Sequence, residues 1–169
     1  MNFLSIKEFF YKLNTIGFIL LLLPVIVFLY LHIAALKSIP MIIDERQHDV
    51  LLIIGCVFVA VALTTVNLFW RSRIRQLKVL GELSRKMDGY FVLVVVRQGV
   101  YAAGLLLLAG GYYLTHSIYF SGVYMVVVLA LIAQWPGPAR FCMTFELRGP
   151  EKDLVLHNQD LPRKSRTRN

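Results

Sequence analysis

The sequence predicts an all-α integral membrane protein with four transmembrane helices and both termini on the cytoplasmic side. The apolar residues fall in four long runs, at 15–36, 50–70, 90–114 and 118–135, each close to what an ~30 Å hydrocarbon core requires. Hydrophobic residues make up 57% of the chain and charged residues only 17%, a balance more apolar than that of an ordinary soluble domain. All of the net charge of +8 except Arg97 lies between and beyond those runs, where basic residues report orientation.

Residues 1–14 are amphipathic, with Asn2, Ser5, Glu8 and Lys12 at helical spacing among Phe3, Leu4, Ile6, Phe9, Phe10 and Leu13. That pattern fits a helix lying in the membrane interface, and equally an extension of the first span. The run 15–36 is longer than the ~7–15-residue hydrophobic region of a signal peptide and lacks a small-residue cleavage site. It is therefore read as span one, with Pro24 removing a backbone hydrogen bond in its middle. The loop 37–49 holds Lys37 and Arg46 against Asp44, Glu45 and Asp49, a net charge of −1.

Span two, 50–70, carries Cys56, Ala60 and Thr64 four residues apart. Such a small-residue stripe lets helices approach closely in lipid. Asn67 lies one step further round, and Phe69 and Trp70 suit an interfacial belt. The segment 71–89 then has six basic residues (Arg71, Arg73, Arg75, Lys78, Arg85 and Lys86) against Glu82 and Asp88, a net +4. Ile74, Leu77, Leu80, Leu83 and Met87 recur at helical spacing, so a basic amphipathic helix at an anionic lipid surface is expected, either free-standing or continuing span two.

Span three, 90–114, contains Arg97 and Gln98. An arginine at mid-membrane costs roughly 2.5–3.5 kcal/mol on insertion scales. Only Thr115, His116 and Ser117 separate it from span four, a link short enough to demand an antiparallel helix pair. Trp135 anchors span four, and Pro136-Gly137-Pro138 ends it. In the tail, 136–169, a turn is expected at Arg148 to Glu151, flanked by either a small hairpin or a short helix. The last residues, PRKSRTRN, are basic and expected to be disordered.

The charges orient the spans. Residues 1–14 carry +1, 71–89 carry +4 and the tail +3, whereas 37–49 carry −1 and 115–117 are neutral. The positive-inside rule places both termini and the middle loop in the cytoplasm, in a membrane of the bacterial inner-membrane type. With this orientation Thr64, Asn67, Arg97, Gln98 and Gln134 fall at similar depth and form a candidate polar layer. Arg97 there either binds a lipid phosphate, another anion or a partner's carboxylate through its forked donors, or snorkels to the headgroups.

Several chemistries find no support. No Asp or Glu lies within a predicted span, which argues against a self-sufficient proton- or cation-coupled pump. Cys56 and Cys142 show no CxxC spacing and read as small buried hydrophobes. His32, Asp44, Glu45, His48, Asp49 and His116 share the outer side but match no metal signature, so no metal or cofactor is expected. Neither a nucleophile elbow nor a phosphate loop is present, and no nucleic-acid motif accompanies the basic charge.

The resulting expectation is a non-catalytic accessory or structural subunit of a hetero-oligomeric membrane complex, docking through small-residue helix faces and touching anionic lipid headgroups. The alternatives are a small homo-oligomeric transporter, channel or lipid-handling protein built on the Arg97 layer, and a haem or quinone anchor subunit using His32 and His116.

Overall fold

The computed structural model describes residues 5–37, 45–80 and 83–157, without the side chains of 45–48. Asn2, Phe3, Leu4, Asp44, Gly81, Glu82, the middle of the 37–49 loop and the terminal PRKSRTRN lie outside the described residues. The elements are α1 (Ile6–Leu36), α2 (Glu45–Lys78), α3 (Leu83–Thr115), α4 (Ile118–Ala133), α5 (Pro138–Phe145) and α6 (Pro150–Leu156). Among the described residues there is no strand.

Three helices, α1, α2 and α3, are long and apolar enough to cross a membrane. The fourth apolar run forms α4, which meets α5 at a 78° bend, so the described residues hold three helices long enough to span, or up to four if that bent pair is one broken span. The chain is therefore a multi-pass membrane protein by length and composition. At 1.5 Å per residue α3 is about 50 Å long, well beyond an ~30 Å hydrocarbon core.

That surplus length explains the start of the chain. Ser5 caps α1 by accepting a hydrogen bond from the Glu8 amide at 3.2 Å, and Glu8 sits at the matching position of a capping box. From there α1 runs unbroken through Pro24. Of the two readings of this segment, the continuous helix is the one that forms from Ile6 onward. Its apolar positions Phe9, Phe10 and Leu13 are buried, not spread on a surface.

The basic stretch 71–89 is likewise divided between two helices. Its first half finishes α2, and its second half opens α3. Lys78, at the end of α2, donates to Glu146 Oε1 at 2.6 Å, just past α5. This hydrogen bond and the ammonium charge hold the Glu146 carboxyl below the usual carboxylate range. The pair is exposed, so it contributes little to stability.

α3 is the axis of the bundle. In its most apolar stretch 56% of residues are buried, against 11% in α1 and α2, so the other long helices pack on α3 and leave their outer faces to lipid. Two apolar cores result. One gathers the start of α1, the end of α2, the start of α3 and helices α5 and α6, around Phe9, Leu13, Tyr90, Val94 and Phe141. The other gathers the far half of α1, the middle of α2, the far half of α3 and α4, around Phe28, Val59, Leu105, Phe120 and Tyr124.

The tail forms helices, not a β-hairpin. Both arms of the expected hairpin, around Phe141 and around Leu154, coil into α5 and α6. The turn between them stands where the sequence puts it: Gly149 takes φ 60°, which favours glycine, and Pro150 opens α6. Phe141, Cys142, Phe145 and Val155 are the buried anchors. Cys56 and Cys142 are both free thiols.

Candidate functional site

Between the two apolar cores lies a polar layer to which all four long helices contribute. On α3 the first core ends at Val94 and the second begins at Tyr101. Arg97 and Gln98 fill the gap on the same buried face, because residues three and four apart stack along a helix. The other helices supply Asn14 and Gly17 from α1, Asn67 and Trp70 from α2, and Gln134 and Trp135 at the end of α4.

Tyr101 is the hub of one half. Its hydroxyl accepts from Asn67 Nδ2 at 3.1 Å and from Gln134 Nε2 at 3.0 Å, tying α2, α3 and α4 together. Asn67 Nδ2 also donates to the Leu63 carbonyl at 2.8 Å. Arg97 is only 7% exposed. Its Nη2 donates to the Gln134 carbonyl at 3.2 Å, one of the carbonyls a helix end leaves without an internal partner. Its guanidinium lies 4.0 Å from the centre of the Trp70 ring, a desolvated cation–π contact of about 2 kcal/mol.

The other half joins α1 to the end of α4. Trp135 Nε1 donates to Asn14 Oδ1 at 3.1 Å. Gln98 lies beside this bond, 1% exposed, and neither its amide nitrogen nor its amide oxygen has a hydrogen-bond partner. A Cβ on Gly17 would stand 3.2 Å from both atoms, so the missing side chain of Gly17 is what lets α1 close over Gln98.

Among the described residues no carboxylate pairs with Arg97. Its electrostatic neighbours are Tyr90, Tyr101 and a second cation, Arg140 of α5. The Tyr90 hydroxyl is also buried and unpartnered, and its ring is held edge-on by Trp70 at 5.5 Å and Phe141 at 5.0 Å.

No protein-family model matches this chain, nor does any curated protein or solved structure.

Of the five residues expected in the layer, Asn67, Arg97 and Gln134 meet in one network, and Gln98 sits beside it. Thr64 does not join them. Its hydroxyl donates to the Ala60 carbonyl at 2.8 Å and its side chain faces outward. Asn14, Trp70, Tyr101 and Trp135 belong to the layer although sequence reasoning passed over them. Tyr101 had a legible signal, standing one helical turn beyond Arg97. The two tryptophans read as interfacial anchors, and nothing in the sequence shows that their rings turn inward.

The remaining candidates lie apart from the layer. His32 Nδ1 is 2.7 Å from the Tyr112 hydroxyl, and its ring stacks on Phe28. His116 sits in the turn between α3 and α4 with φ 53°. Among the described residues no three His, Cys, Asp or Glu side chains gather to hold a metal ion. Arg71, Arg73, Arg75, Lys78 and Arg85 are exposed and Lys86 half-buried, around the end of α2 and the start of α3.

Tyr101→Phe is expected to lower stability by about 1–2 kcal/mol, because Gln134 Nε2 loses its acceptor inside the bundle. Thermal unfolding in mild detergent checks this, and Tyr119→Phe, at an exposed site, should leave the midpoint unchanged.

Proposed function

We propose that this chain is a non-catalytic subunit of a larger membrane assembly. In this reading it crosses a bacterial inner membrane four times and keeps both termini in the cytoplasm. Charge supports the orientation. The start of α1, the junction of α2 with α3, and α5 with α6 lie at one end of the bundle, and this end carries most of the basic residues.

The observation that carries the docking reading is the outward face of α2. Of the stripe Cys56, Ala60 and Thr64, Cys56 packs half-buried against the second core, whereas Ala60 and Thr64 are exposed on the outer face. With Val57, Val61 and Thr65 they line a shallow groove of about 290 Å³. Small residues matter most where two backbones must come close in lipid, and here the chain's own bundle leaves Ala60 and Thr64 unused. The polar layer fits the same role, since its hydrogen bonds tie helices of this chain to one another and make a rigid scaffold.

Extracted gently, the full chain should elute with stoichiometric partner membrane proteins. Ala60→Trp fills the groove at an exposed position and should lower partner recovery roughly tenfold, equivalent to about 1.4 kcal/mol, while helicity and thermal unfolding stay unchanged. A chain that extracts alone, or one that keeps its partners with Trp at position 60, sinks this reading.

A second reading rests on a separate observation. The unpartnered Gln98 amide and the acid-free Arg97 favour a homo-oligomeric transporter, channel or lipid-handling protein built on the polar layer. Elution as a homo-oligomer free of other proteins distinguishes it.

A further inference from the structure

The junction of α2 and α3 carries a groove that the polar layer does not use. Phe69 and Leu77 of α2 face Gly89, Val92, Leu93 and Val96 of α3 across a space of about 490 Å³. Gly89 lets Leu77 pack directly onto α3 at one end of it, since a Cβ there would stand 2.5 Å from a Leu77 methyl. Phe69, Val92 and Val96 are exposed apolar side chains at the end of the groove nearer the second core. Gln76 and Leu77 lie at the end nearer the basic segment.

Arg73 stands between these ends, at the boundary of the apolar run. Its guanidinium lies 5.3 Å from the centre of the Phe69 ring, and Nη1 donates to Gln76 Oε1 at 3.0 Å. Those contacts hold the side chain over the groove without neutralising it. A guanidinium has five N–H donors, and among the described residues no carboxylate forms an ion pair with Arg73. Arg71 and Arg75 carry charge of the same sign but, two residues away on either side, project to the other side of α2 and do not line the groove. Asp88 of α3 is the nearest acid in sequence to the groove lining, outnumbered by the basic residues around it.

We propose that this groove is a binding site for one anionic phospholipid, with its phosphate on Arg73 and an acyl chain along Phe69, Val92 and Val96. The match is one of chemistry and of order. A phospholipid presents a phosphate directly above an acyl chain, and the groove presents a forked, pre-positioned cation directly above an apolar trough. Arginine suits this task better than lysine because its planar fork engages two phosphate oxygens at once. The site differs from the general basic surface in a testable way, because only Arg73 combines charge with the trough.

The experiment uses the full chain in mild detergent, exposed to phosphatidylglycerol or phosphatidylcholine with matched acyl chains, and native mass spectrometry counts retained lipid. Phosphatidylglycerol should be retained over phosphatidylcholine. Arg73→Gln should reduce that retention roughly tenfold, the effect of losing one charge-assisted contact. Val92→Trp, which fills the trough from an exposed position, should reduce it as well, whereas Arg71→Gln removes the same charge off the groove and should leave it intact. Unchanged helicity and elution confirm that each variant is folded. Equal retention of the two lipids, or equal loss in the Arg71 and Arg73 variants, overturns the proposal. So does displacement by glycerol phosphate alone, which would make the occupant a soluble phosphate.

Discussion

Arg97→Glu should lower the unfolding free energy by about 3–5 kcal/mol, the combined loss of a desolvated cation–π contact and a charged hydrogen bond. Both contacts become repulsive. A carboxylate cannot donate to the Gln134 carbonyl, and it meets the negative face of the Trp70 ring where the guanidinium met it favourably. Arg97→Met is expected to behave very differently, staying within about 1 kcal/mol of the wild type. It loses the same contacts, but it also removes the cost of holding a charge away from water, roughly 2.5–3.5 kcal/mol in a membrane helix. Buried ionic groups replaced by apolar ones of similar volume often prove neutral for this reason. Denaturant or thermal unfolding of the purified protein measures both variants. If methionine costs as much as glutamate, the guanidinium has an anionic partner and the acid-free description of the layer is wrong.

Gly111→Val should cost about 1–3 kcal/mol, the range for overpacking. A Cβ at position 111 would stand 2.5 Å from Phe120 Cε1 and 2.7 Å from Cζ, inside contact distance. Gly55 of α2 lies on the ring's other side, where a Cβ would stand 3.3 Å from it, so the ring can yield only by moving into the groove of about 400 Å³ that Gly55, Gly111 and Phe120 line. Phe120 is therefore a wedge seated between two glycines on two helices, and it fixes how closely α4 lies against α2 and α3. Gly110→Val supplies the control one residue away, since a Cβ there meets nothing within 4 Å. It should unfold within about 0.5 kcal/mol of the wild type, because its side chain enters open space and meets none of the features that make substitutions costly. Pairing Gly111→Val with Phe120→Leu should recover part of the loss. Equal midpoints for the two valine variants would show that the wedge does not hold the hairpin together.

Most of the helical layout was legible in the sequence. Four apolar runs, the short Thr115–Ser117 link and the Pro136–Pro138 break locate the end of α1, the end of α3 and both ends of α4, whereas α1 begins before its run at Ile6, α2 continues past its run to Lys78 and α3 begins before its run at Leu83. Two segments were less legible. The start of α1 reads equally as an interfacial helix or as an extension of the first span, and the burial of Phe9 and Phe10 depends on α5, whose anchors Phe141 and Phe145 are more than a hundred residues away. The tail reads as a hairpin or a helix with equal ease, since seven- and eight-residue segments carry too little periodicity to separate the two.

The candidate site was legible in part. Polar residues within apolar runs draw attention to themselves, so Asn67, Arg97, Gln98 and Gln134 could be grouped by depth alone. Depth does not fix direction around the helix axis. Thr64 has a suitable depth but points outward, whereas Trp70 and Trp135 point inward to the guanidinium and to Asn14. The sequence by itself determined that the chain is helical and apolar, where its helices lie, and that its basic charge favours one end, because these properties add up residue by residue. Only the tertiary structure decided which faces meet. Helix rotation is set by close approaches such as Gly17 on Gln98 and Phe120 between Gly55 and Gly111, between positions far apart in the chain, and those approaches turned a set of polar residues at one depth into a network centred on Tyr101.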